Sequence, residues 1–263
     1  MNSMRAEWLK LRSYRPFWVV FALYPFCVWG IVGMSLWGQS KVQDMAGQAP
    51  GPDLPFGFPM VWQSVTYIAS WMHFIPAILL ILTVTNEFAF RTHRQNLLEG
   101  WSRFQFLGAK GLTALGLSLY ATLITLVAAL LAGVISKSTP GLEGGQYILL
   151  FFLQSLVYNS FALLLAFFIR RAALALAAYL IYSVIVENIV AFLINLKFPG
   201  VGQYLPLEAA GALVPMPYLK EQAAKMVPGF LHDPGMLVLS GVSVVYLTLF
   251  AGLLWFHFKR EDL

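Results

Sequence analysis

Apolar residues in this chain neither alternate with polar ones nor keep to one helical face. They run together in long blocks separated by short polar or basic stretches. A helix of about 20 apolar residues crosses the roughly 30 Å hydrocarbon layer of a bilayer. Six blocks reach that length, at residues 17–37, 58–85, 112–135, 147–169, 172–195 and 237–258. Barrel strands would alternate over about ten residues, and these blocks do not. The first block exceeds a signal-peptide core, and no small-residue cleavage site follows it closely, so it is read as a span. Pro25 and Pro76 are expected to kink spans one and two. The predicted fold is an all-α membrane protein with six transmembrane helices in a single domain covering 1–263.

Composition agrees with that pattern. Of the 263 residues 59% are hydrophobic and only 11% charged, whereas a water-soluble domain carries about 25% charged residues. Mean hydropathy is +0.71. The net charge of +5 does not call for nucleic acid, because the basic residues sit between spans. Arg5, Lys10, Arg12, Arg15, Arg91, Arg94, Arg103, Lys110, Arg170, Arg171, Lys259 and Arg260 fall on one side. Lys41, Lys137, Lys197, Lys220 and Lys225 fall on the other. The positive-inside rule puts the first set, and both termini, in the cytoplasm. Arg170 and Arg171 interrupt a run far too long for one span, so a tight turn is expected there.

Three connections carry more information. Residues 38–57, rich in Gly, Pro and Gln, read as an irregular outer loop. Residues 196–236 contain several prolines, are too broken to span and too apolar to lie free. They read as short helices packed on protein or dipping into the outer leaflet, including one at 218–226. Residues 85–110 have helical patterning: Phe90, Leu97, Trp101 and Phe104 share one face, while Arg91, Gln95, Glu99, Ser102 and Arg103 gather opposite. Such a helix would lie flat at the inner surface, as a docking face or as a linker whose arginines meet anionic lipid. At the N-terminus, Met4, Trp8 and Leu11 form a similar stripe, expected in an interfacial helix over residues 4–14.

Polar residues inside spans are few. Gln63, Thr66 and Ser70 share a face of span two and are candidates to line a pathway or to bond neighbouring helices. Glu187, beside Asn188, is the carboxylate within span five, where it needs a partner or a cavity. The single cysteine, Cys27, permits no disulfide within the chain, and no cluster has metal-ligand spacing.

The motif residues resemble a family. Glu7, Lys10, Leu11 and Arg12 precede span one. Span two ends in Asn86-Glu87-Phe88, followed by Arg91-Thr92, Arg94-Gln95, Trp101-Ser102-Arg103 and Lys110. This arrangement resembles the permease subunit of ABC-2 type transporters, in the short six-span bacterial form. The resemblance implies a subunit of an exporter in the bacterial cytoplasmic membrane that is not itself an enzyme. The chain carries no Gly-x-x-x-x-Gly-Lys-Ser/Thr loop, so ATP and Mg would be bound by a separate ABC ATPase subunit. It further implies a second permease copy, a coupling helix near 91–104 that docks the ATPase through Arg91, Arg94, Gln95, Glu99, Ser102 and Arg103, and anchoring by Glu87, Trp101 and Lys110. Substrate would pass near the dimer axis. Glu87 is expected to pair with Arg91 at i+4. Two other classes stay open: a non-catalytic membrane anchor, and an intramembrane enzyme, for which no paired catalytic residues occur in the spans.

Overall fold

The structure is a computed structural model that describes residues 9–46, 55–92, 98, 100–139, 141–217 and 234–259. Within these residues it is helical, with no strand. The helices are α1 (Arg15–Ala46), α2 (Val61–Ser70), α3 (Phe74–Ala89), α4 (Arg103–Ile135), α5 (Gln146–Ile169), α6 (Ala172–Ile181), α7 (Glu187–Lys197), α8 (Pro206–Gly211) and α9 (Met236–Lys259). Five helical stretches, α1, α4, α5, the continuous Ala172–Lys197 that holds α6 and α7, and α9, are long and apolar enough to cross a membrane, or six if α2 and α3 form one bent span.

The distribution of side chains is that of a bundle dissolved in lipid. Phe26, Met34, Leu149, Phe192 and Leu237 are largely exposed, while Ser118, Thr125, Ser155, Asn159 and Ser243 are fully buried. A water-soluble protein does not leave so much contiguous apolar surface bare. In lipid the hydrophobic effect does not drive helices together, so close packing and hydrogen bonds must hold them. Helix α4 supplies both. Ala114, Ala121, Ala128, Ala129, Ala132 and Gly133 are buried along it, and a Cβ at Gly133 would overlap the Phe58 ring. The Asn159 amide on α5 donates to Ser118 Oγ at 2.8 Å, and Tyr24 and Thr125 share a hydrogen bond of 3.3 Å.

Several element limits depart from the sequence pattern. Helix α1 continues through Pro25 to Ala46, well beyond residue 37. The residues after the apolar run contain no proline until Pro50, and Gln39 is held by the backbone N–H of Phe56 (3.3 Å). Span two is broken: α2 and α3 meet at 41° across Trp71–His73. Pro76 lies in the first turn of α3, where its missing N–H leaves no intrahelical bond unmade.

The expected helix over 91–104 is interrupted. Gly100 adopts φ +95°. Ser102 then opens α4 with a capping box: its Oγ accepts from Gln105 N at 3.2 Å, and Gln105 Oε1 accepts from Ser102 N at 2.9 Å. Span three therefore begins at Arg103 rather than residue 112. The turn at Arg170–Arg171 is as tight as expected, with Arg170 in the left-handed region at φ +55°. Span five contains a π-helical turn, Tyr182–Val186. The described part of 196–236 packs on protein, with Leu207, Ala209, Ala210, Leu213 and Val214 buried.

Candidate functional site

Two places gather the polar residues, one at the end of the bundle that holds the start of α1 and the end of α9, the other further along its length.

At the first, the last turn of α3 brings Glu87 against the base of α4. Glu87 Oε1 lies 2.8 Å from Lys110 Nζ and 3.4 Å from Lys10 Nζ. The Lys110 side chain is 3% exposed, that of Glu87 12%, and that of Lys10 37%. The short contact is thus shielded from solvent, whereas the Lys10 contact is screened by it. Asn86 donates to Tyr14 Oη at 2.9 Å, and Lys10 also lies over the Trp101 ring at 5.7 Å. Residues of the N-terminal segment, the end of α3, the approach to α4 and its second turn are therefore tied to one another. Leu11 is half-buried against the core beside them.

Arg103 turns the other way. Its guanidinium donates to the carbonyls of Phe258 (3.3 Å) and Lys259 (2.6 Å), satisfying carbonyls at the end of α9, where a cation also complements the helix dipole.

The second place is a cavity of about 490 Å³ between α2–α3, α5, α6–α7 and α8. The π turn delivers Glu187 to it. An α-helix that accommodates an extra residue changes the face presented beyond it, and Glu187 follows directly, 1% exposed. The Asn188 amide donates to Val184 O (3.2 Å) and Ser183 O (3.4 Å), repairing carbonyls at the irregular turn. Glu187 Oε1 accepts from the backbone N–H groups of Leu207 (2.6 Å) and Glu208 (3.0 Å) at the start of α8. Pro206 precedes them at N1, so the carboxylate meets the first N–H groups this helix offers. Burial raises the Glu208 carboxyl above its ordinary value.

Residues 17–263 match the family described as "Protein of unknown function (DUF2705)". The chain belongs to that family. No curated protein matches the chain.

In this DUF2705 chain the residues singled out from sequence separate into distinct groups. Glu87, Trp101 and Lys110 come together, but with Lys10 rather than Arg91. The expected i+4 partner starts a turn at φ +55°, which takes it off the helical face of Glu87, and among described residues the ion pairs of Glu87 go to the two lysines. Ser102 and Arg103 are engaged in capping α4 and α9. Met4, Trp8, Arg94, Gln95, Glu99 and the expected helix at 218–226 lie outside the described residues.

Of the pathway candidates, Ser70, Glu187 and Asn188 line the cavity. Gln63 instead donates to Pro215 O at 3.0 Å, and the Thr66 hydroxyl returns to Trp62 O at 2.7 Å. His73, which belongs to the polar strip of span two with Gln63, Ser64 and Thr66, also lines the cavity, and two further lining residues, Gln154 and Glu208, were not site candidates. Gln154 stood in the sequence as an amide within an apolar block, which is a usable signal. Glu208 gave none, because its segment does not span.

Proposed function

We propose that this chain is the membrane-spanning subunit of an ATP-driven transporter of ABC-2 type, an exporter working as a pair of permease subunits with a separate ATPase. The observation that carries the reading is the cluster of Lys10, Glu87, Trp101 and Lys110, which joins the end of α3 to the base of α4 and to the N-terminal segment on either side of the 91–102 connection. A connection needed only for topology requires no such frame. A segment that must pass a push from a closing ATPase to the spans does, because rigid-body motion is transmitted only through parts that do not yield. In this reading both termini are cytoplasmic, Arg91 and Arg94 face the ATPase, and charge-assisted contacts give the joint its strength. Glu87 and Lys110 pass the displacement to α3 and α4, and substrate moves along faces of spans one, two and five near the dimer axis.

The test is co-purification in detergent with a co-expressed candidate ABC ATPase, comparing wild type with Arg91→Glu/Arg94→Glu. Arg103 stays native, because reversing it would disturb the end of α9. Loss of the ATPase from a permease that is still folded is expected. An undiminished complex removes the docking assignment, and a wild type that retains no ATPase replaces the reading with a passive membrane anchor.

A further inference from the structure

We propose that the cavity beside Glu187 binds a protonated primary amine carried on an apolar tail. Three buried side chains lining it carry polar atoms without a hydrogen-bond partner: Glu187 Oε2, His73 Nε2 and Gln154 Oε1. These residues are 1%, 2% and 2% exposed. Buried polar atoms are nearly always satisfied, so three such atoms around one cavity point to a ligand that satisfies them.

All three are acceptors. His73 Nδ1 lies 2.6 Å from Ser70 O; a carbonyl only accepts, so Nδ1 holds the ring proton and Nε2 offers a lone pair. The ring is clasped between Phe151 (4.9 Å) and Tyr158 (5.0 Å), which fixes the direction of that lone pair. Glu187 Oε1 is already occupied by two N–H groups, leaving Oε2 for the ligand. Among the described residues that line the cavity there is no Lys or Arg, while Glu187 and Glu208 both face it. The complement is a positively charged group with several N–H donors. An alkylammonium has three.

Other cations fit less well. No group of three or more His, Cys, Asp or Glu capable of holding a metal occurs among the described residues. A hard alkali ion has no use for an imidazole nitrogen. The tail follows from the rim. Trp71, Leu180, Val184 and Asn188 line the cavity and are exposed on the outside of the bundle, so it opens sideways at the level of the apolar surface. An amphiphile entering from that side brings its head to Glu187 and leaves its chain against Phe74, Leu180 and Val184. The volume lies within the roughly 300–1,000 Å³ usual for small-molecule sites.

This site names the substrate class of the proposed exporter, but binding itself requires no ATPase, so the two readings fail separately. The experiment is equilibrium binding of radiolabelled octylamine to the purified chain in nanodiscs, with protein-free nanodiscs as the blank. Saturable binding above the blank is expected. Octyltrimethylammonium, charged but without N–H donors, should bind about tenfold or more weakly, and octanol not measurably. Glu187→Gln should weaken octylamine by about tenfold or more. His73→Phe, which keeps the ring stack and removes the acceptor, should weaken it several-fold. Binding equal to the blank, equal affinity for the quaternary ion, or unchanged affinity in the variants overturns the proposal. Should Glu187→Gln fail to fold, His73→Phe and Gln154→Leu decide the matter alone.

Discussion

Replacing Lys110 by Met removes the better shielded partner of Glu87 and tests how much of the basic end depends on one contact. The carboxylate then remains at a site where its side chain is 12% exposed. Lys10, at 3.4 Å and 37% exposed, stays beside it. Deleting one partner of a buried pair costs about 3–5 kcal/mol, because the surviving charge stays desolvated. The residual exposure of Glu87 and the presence of Lys10 place the expected loss near the lower figure, about 3 kcal/mol. Lys10→Met, by contrast, should cost about 1 kcal/mol or less, as screened pairs do. The combined Glu87→Leu/Lys110→Met variant removes both charges together. It should recover most of the loss, because apolar replacements of a buried pair are often neutral. Stability would be read by titrating the detergent-solubilised protein with SDS and following helicity and tryptophan emission. If Lys110→Met lies within about 0.5 kcal/mol of wild type, or the separate losses of Glu87→Leu and Lys110→Met simply add in the combined variant, the contact is not the coupled, shielded pair described above.

Other outcomes follow from the same structure. A Cβ at Gly202 would overlap the carbonyl oxygen of Ala191, so Gly202→Ala should destabilise by about 1–3 kcal/mol; Gly241→Ala, which meets nothing within 4 Å, should stay within about 0.5 kcal/mol in the same SDS titration. Ser102→Ala should cost about 1 kcal/mol through loss of the α4 cap, whereas Ser102→Asp should retain most of it. Fusions placed after residue 259 should give active cytoplasmic reporters and inactive periplasmic ones; the opposite result would reverse the predicted orientation.

The spans were legible because a bilayer demands a length of apolar chain that few other structures require. Blocks four and six accordingly end within a residue of α5 and α9. What escaped the pattern is what apolar periodicity does not encode. Trp71, Met72 and His73 interrupt α2–α3 without changing its hydropathy much. Tyr182–Val186 form a π turn from residues that suit an α-helix equally well. The Ser102–Gln105 capping box is present in the sequence, but the apolar spacing of Phe90, Leu97, Trp101 and Phe104 continues across Gly100 and hides the break. Gln63 and Thr66 were grouped with Ser70 by straight-helix spacing, and their side chains instead bond Pro215 and Trp62. For Glu87 the visible partner was Arg91, four positions on; Lys110 reaches it only because α3 and α4 fold back on each other, and such a meeting is a property of packing.

The two-residue link between α5 and α6 also bears on how the chain enters its membrane. To the insertion machinery the two helices emerge as one apolar stretch, interrupted only by Arg170 and Arg171. A single helix centred on that point would carry both arginines through the middle of the bilayer, at about 2.5–3.5 kcal/mol each. A hairpin returns both to the aqueous boundary. With so short a link, the first helix cannot settle and the second follow later, so the pair must partition into lipid as one unit. Replacing the arginines by leucines would erase the instruction to turn, and every segment after them would face the wrong compartment.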